Sequence, residues 1–133
     1  MLVDAMELAF PPFPMPSTGE LRTDLIELVS RLEVLLSSQP FPRLMAAIID
    51  FAERDPMLAD LHQRITDRQR EPVLQLLTKA RSRGEIHSDA DIEAAIDLLA
   101  GPAFYRRFIA HRAFSERSAA AVVDHVLIGL GCH

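Results

Sequence analysis

This sequence predicts an all-α fold of six helices, and three observations carry that reading. Apolar residues recur at three- and four-residue spacing in every long segment, and no segment shows the alternation of a strand. Capping residues, prolines and glycines divide the chain into pieces of helical length. The stretch from Asp91 to Leu130 is apolar on nearly all sides, which suits helices packed on two faces.

The elements follow in order. Residues 1–10 place Leu2, Met6, Ala9 and Phe10 opposite Asp4 and Glu7, a short helix with no cap residue. Residues 11–16, PPFPMP, hold four prolines and are predicted to be extended. Ser17 and Glu20 have the spacing of a capping box. They start a second helix with Leu21, Leu25, Leu28, Leu32 and Leu35 on one stripe, ending before Pro40. The third helix runs from about Phe41 to Glu53 on the stripe Phe41, Leu44, Met45, Ile48, Ile49 and Ala52. Asp55-Pro56 pairs a cap with a first-turn proline and opens the fourth, which Gly84 ends. Pro72 lies inside it; an interior proline costs ~3 kcal/mol, so a kink or break is predicted near Arg68 to Glu71. Glu85 to Ser88 form a link, Asp89 caps the fifth helix, and Ser115 is placed to cap the sixth.

The last two helices carry more apolar surface than one packed face needs. One stripe of the fifth is Ile92, Ala95, Ile96, Leu99 and Ala103, and roughly opposite lie Leu98, Gly101, Tyr105, Phe108 and Ile109. The sixth carries Ala119, Val122, Val123, Val126 and Leu130, with only Asp124 and His125 clearly polar beyond Ser118. Helices apolar on two sides need cover on both, and a second copy of the chain supplies it. A homodimer is therefore expected, with the last two helices of each copy forming a four-helix interface. Its seam would hold Leu98, Gly101, Pro102, Tyr105, Ile109, Ala119, Val122, Val123, Val126 and Leu130.

Composition narrows the function classes. A chain of 133 residues with 49% hydrophobic and 25% charged residues is an ordinary single globular domain. A net charge of −5 opposes direct binding to nucleic acid, which draws on a basic face. The single Cys132 excludes an internal disulfide and fits a reducing compartment. No apolar run approaches the ~20 residues of a membrane span, and MLVDAMELAF lacks a basic leader segment, so a cytoplasmic protein with no membrane partner is expected. None of His62, His87, His111, His125 and His133 pairs at metal-ligand spacing with another His or a nearby Cys, so no metal is expected. No nucleophile-and-base motif, phosphate loop or dinucleotide fingerprint occurs, so neither an enzyme nor a cofactor is expected.

The run GEIHSDADIEAAIDLLAGPAFYRRFI, residues 84–109, followed by VVDHVLIGL, residues 122–130, resembles the C-terminal regulatory domain of TetR-family transcriptional regulators. LVDAMELAF with its proline-rich turn and FAERDPMLADL, residues 51–61, fit the same domain, so the similarity spans nearly the whole chain. The resemblance implies helices that dimerise and a small-molecule pocket whose occupancy alters the spacing of two DNA-reading heads. The family's helix-turn-helix has no counterpart in these residues, and Met1 falls where the resemblance places the connecting helix. It therefore implies one regulatory domain over 1–133: a connecting-helix remnant and proline-rich loop at 1–16, pocket-forming helices at 17–83 and dimerisation helices at 89–130. DNA would be reached only through a helix-turn-helix not present here.

Resemblance and packing together put the pocket between the middle helices and the Asp91 helix. Its candidates are Phe10, Phe13, Leu28, Leu32, Met45, Ile48, Ile49, Ile65, Leu76, Phe104 and Phe108, large adaptable side chains that suit a small apolar effector. Each equally suits plain core. In the fourth helix the stripe Leu58, Leu61, Ile65 meets Arg68 and Gln69, a polar pair able to orient a ligand or, alternatively, part of a solvated bend flanked by Asp67 and Glu71. Tyr105 needs a partner for its hydroxyl if buried, which makes it a candidate for either the ligand or the dimer seam. Arg106 and Arg107 read as ion-paired or solvated. The alternative to an effector domain is a helical interaction module without a ligand.

Overall fold

The computed structural model describes residues 15–132. They form α1 (Leu21–Ser37), α2 (Phe41–Arg54), α3 (Pro56–Ser82), α4 (Ile92–Phe104), continued by a π-helical stretch Tyr105–Ala110, and α5 (Ser118–Gly129). No strand occurs among the described residues, and the all-α class stands. The helix expected over residues 1–10 lies outside the described residues, so five α-helices are seen and not six.

Helix ends show how the sequence sets these limits, and where it misleads. α3 opens as expected: the Asp55 carboxylate accepts from the Met57 N–H at 3.0 Å, with Pro56 in the first turn. It closes on Gly84 at φ +76°, where Glu85 N–H donates to the Ala80 carbonyl and Gly84 N–H to that of Arg81. α5 closes identically: Gly131 has φ +71°, Cys132 N–H bonds Leu127 and Gly131 N–H bonds Ile128. Ser17 does not cap α1. Thr18 does the local work, its hydroxyl accepting from Glu20 N–H at 3.2 Å and donating to buried Asp24 at 2.6 Å, so the first turn is tied back to the incoming chain. The cap of α4 is Asp91, two residues later than Asp89, and accepts from Ala94 N–H at 3.0 Å. Ser115 contributes its carbonyl to the start of α5, accepting from Ser118 N–H at 3.2 Å, while the Ser118 hydroxyl reaches Glu33 of α1 at 2.7 Å.

Pro72 does not break α3, which runs unbroken for 27 residues. The proline forfeits one backbone bond, but its ring is buried, and a helix held along its length by packing absorbs a local loss of that size. Gly101-Pro102 likewise lies within α4, and the backbone loosens only beyond it, in the π-helical stretch that ends at His111 with φ +53°. There the Arg107 guanidinium donates to the Leu36 carbonyl at 3.2 Å, covering a terminal acceptor of α1, and lies 5.5 Å from the Phe108 ring centre.

The interior divides into two cores. One gathers Leu25 and Val29 of α1, Leu77 and Ala80 of α3, Ile92, Ala95, Ile96 and Leu99 of α4, and Ala119, Val123, Val126, Leu127 and Leu130 of α5. The other gathers Leu36, Phe41, Met45, Leu61, Ile65 and Ala103, with Leu32, Phe104, Phe108 and Phe114 against it. α1, α3 and α4 serve both.

Candidate functional site

The two cores do not fuse, and the reason is legible along α3. Leu61 and Ile65 belong to the second core and Leu77 and Ala80 to the first. Between them the inward phase is occupied by His62, Thr66 and Gln69, at helical spacing of four and three residues. Polar side chains there cannot close the gap with apolar contact. A cavity of about 300 Å³ remains, lined opposite by Leu28, Val29 and Leu32 of α1, Phe41, Met45 and Ile49 of α2, and Ile96, Leu99, Ala100 and Phe104 of α4. That volume lies at the lower end of the ~300–1,000 Å³ of small-molecule sites.

Its polar wall is electrically quiet. Burial holds the His62 imidazole below its usual pKa, so at neutral pH the ring is uncharged. Arg70 also lines the cavity, but its guanidinium bonds Asp97 of α4 at 3.0 Å and pairs with Glu93 one turn earlier. No carboxylate among the described residues lines the cavity. No group of three or more metal-ligating side chains occurs among the described residues. No helix among the described residues is long and apolar enough to cross a membrane.

A second concavity lies on the far side of α4. It is an open groove of about 560 Å³ between α4 and α5, floored by Ala94, Leu98, Pro102, Val122, Val126 and Gly129 and rimmed by His87, Asp89, Asp91 and His125. Leu98 in its floor is 60% exposed, and the same C-terminal helices carry three more side chains of unusual exposure for their type: Tyr105 at 59%, Ile109 at 67% and Ile128 at 74%.

Residues 15–126 match the family described as the tetracyclin repressor-like, C-terminal domain. The chain belongs to this family. It is 33% identical over 117 residues to the HTH-type transcriptional regulator Rv1556 of Mycobacterium tuberculosis, covering 85% of this chain and 55% of that protein. It is 32% identical over 97 residues to the HTH-type transcriptional regulator YdeS of Bacillus subtilis, covering 72% of this chain and 48% of that one. The chain thus spans about half the length of these relatives. The crystal structure of the TetR family transcription regulator SCO0332 superposes with a TM-score of 0.79 at 25% identity, over 96% of this chain and 69% of that one.

Within this repressor-like domain the expected pocket residues divide. Leu28, Leu32, Met45, Ile49, Gln69 and Phe104 line the cavity. Phe108 stands behind it, stacked on Phe104 with ring centres 6.1 Å apart, and Ile48 and Ile65 are packed into the second core. Leu76 packs against the first core and does not line the cavity. Arg68 points away from the cavity wall and is exposed, and Tyr105 is exposed too, so neither meets the cavity. Phe10 and Phe13 lie outside the described residues. Val29, Phe41, His62, Thr66, Arg70, Val73, Ile96, Leu99 and Ala100 were not anticipated as lining residues.

The expected seam also divides. Ala119, Val123, Val126 and Leu130 are buried in the protomer's own first core, so α1 and α4 already cover them and no partner is needed for that. Leu98, Tyr105 and Ile109 are exposed on the outer face with Gly101, while Pro102 and Val122 are half-buried in the groove. Ile128 belongs with them and was missed, because it falls outside the stripe built on Val122 and Val126.

Proposed function

We propose that this chain is the effector-sensing and dimerisation domain of a cytoplasmic transcriptional regulator, with no catalytic role. The observation that carries the reading is the cavity between α1, α2, α3 and α4, whose lining is mostly apolar with a few polar groups on one wall. The C-terminal helices support the second half: an open groove between α4 and α5, with Leu98, Tyr105, Ile109 and Ile128 exposed along the same segment, is what a second copy, related by a two-fold axis, would cover. DNA would be read by a helix-turn-helix outside residues 15–126, the module for which the relatives are named. A ligand that binds one arrangement of the dimer better than another shifts the population towards it by its difference in affinity, and so changes operator binding.

Native mass spectrometry of the purified chain, repeated after denaturing extraction, tests both halves. The expected result is a dimer whose excess mass is a small molecule released on denaturation. Ala100→Leu, which fills part of the cavity wall, should abolish that excess mass while keeping the dimer. An excess mass that survives Ala100→Leu would place the ligand elsewhere, and a monomer at micromolar concentration would remove the dimer.

A further inference from the structure

The cavity has a direction as well as a volume. Of its described lining residues only His62, Thr66, Gln69 and Arg70 are polar, and all four lie on α3. The walls supplied by α1, α2 and α4 are apolar throughout. A molecule held there meets hydrocarbon on three sides and hydrogen-bonding groups on the fourth.

The chemistry of that fourth wall decides between ligand classes. His62, Thr66 and Gln69 make no side-chain hydrogen bond to another described residue, yet no described polar side-chain atom is both sealed from solvent and unpartnered. Their donors and acceptors are therefore open to the cavity's contents. A wholly apolar occupant would strip water from these three side chains and return nothing, a cost incurred for each group left unpaired. A carboxylate or phosphate fares no better. The one cation among the described residues of the wall, Arg70, is already held by two carboxylates, Glu93 and Asp97, so an entering anion would meet local charge of its own sign.

Resting on the reading of this cavity as the effector site, we infer that it selects uncharged amphipathic molecules. The apolar body lies against α1, α2 and α4, and a single hydrogen-bonding head, such as a phenol, alcohol, ketone or amide, is read by His62, Thr66 and Gln69. The neutral state of His62 agrees with this, since an uncharged imidazole both donates and accepts.

Three probes of matched shape test it: β-naphthol, naphthalene and β-naphthoate, each titrated at pH 7.5 against fluorescent N-phenylnaphthylamine bound to the full chain. β-Naphthol should displace the dye at about tenfold lower concentration than either of the others, the value of roughly one well-placed hydrogen bond. Thr66→Val keeps the side-chain shape and Gln69→Leu nearly so; together they should erase the preference of β-naphthol over naphthalene without weakening naphthalene. Circular dichroism of each variant guards against misfolding, and either single variant suffices if the pair does not fold. β-Naphthoate binding best, or a naphthol preference unchanged in the folded variants, would overturn the head-group inference and leave the effector site standing. Failure of all three probes and the dye to bind would overturn the effector site itself, and this inference with it.

Discussion

Replacing Leu98 and Ile128 together with Asp is the sharpest test of the outer face of α4 and α5. Leu98 lines the groove and Ile128 lies on α5 beside the groove residue Gly129; they are 60% and 74% exposed, so neither contributes much to the protomer's own core. Full burial of a Leu or Ile side chain stabilises by ~2 kcal/mol, so covering the exposed fractions of this pair yields about 2.7 kcal/mol per protomer. Two-fold symmetry doubles that to about 5 kcal/mol per dimer, nearly four decades in dissociation constant. Asp removes this gain and adds unpaired charge to a desolvated seam, so the figure is a lower bound. Sedimentation velocity should show a dimer at micromolar concentration for the parent chain and a monomer for the double variant. The urea midpoint of the separated protomer should hardly move, because surface changes of this kind cost little within the fold. A double variant that remains a dimer would refute the placement of the seam. A double variant that unfolds would show that these side chains support the protomer and not a partner.

Two further outcomes follow from the helix ends and the surface pairs. Arg22 of α1 and Asp124 of α5 form a bidentate pair, Nε to Oδ1 at 2.7 Å and Nη2 to Oδ2 at 3.2 Å, and the Arg22 hydrogen bond holds the Asp124 carboxyl below its ordinary pKa. The folded state therefore binds this proton less readily than the unfolded chain. The stability it adds is present above the ordinary carboxylate pKa and is lost as pH falls below about 4. Urea midpoints of the parent and Asp124→Asn should differ slightly at pH 7 and converge by about pH 3; a gap that widens on acidification would be the wrong sign. Gly131→Ala should cost about 1–2 kcal/mol, seen by calorimetry as a melting point lower by several degrees. A β-carbon there would stand 2.1 Å from the His87 ring, which is exposed and free to swing aside, so the lasting cost is the left-handed backbone at φ +71°. An unchanged melting point would show that the α5 terminus adds nothing to stability.

What the sequence disclosed and what it hid follow from how each signal is encoded. Asp55-Pro56 and Gly84 bounded α3 correctly, because cap geometry depends on a few neighbouring residues and nothing distant. The polar interruption of α3 is legible as the pair Arg68 and Gln69, of which only Gln69 lines the cavity. Stepping three from Ile65 selects Arg68; the structure steps four, to Gln69, and that face continues back through Thr66 and His62. His62 was weighed only as a metal ligand, though its spacing to Thr66 and Gln69 already marked a polar stripe. Pro72 leaves α3 unbroken because the loss of one backbone bond is local, whereas the packing that keeps α3 whole is spread over its length. The seam misled for a different reason. Hydrophobicity says that α4 and α5 have apolar faces on two sides but not which face turns inward, and α1 claims Ala119, Val123, Val126 and Leu130.

The same two-sidedness joins the two halves of the proposed function on one helix. Ile96, Leu99, Ala100 and Phe104 of α4 form a wall of the cavity, while Leu98 and Pro102, on its opposite side, floor the outer groove. An α-helix with its backbone bonds intact moves as a body, and close-packed neighbours do not deform to absorb a shift. An occupant that displaces the cavity wall therefore displaces the groove by a similar amount. The exception lies just beyond Phe104, where the chain passes into the π-helical stretch Tyr105–Ala110, whose wider turns hold the backbone less tightly. Arg107 fastens that stretch to the end of α1 through the Leu36 carbonyl. Under the proposed function, a shift of α4 would be anchored at its C-terminal end and transmitted at the groove, so α4 is the element through which cavity occupancy would reach a dimer partner.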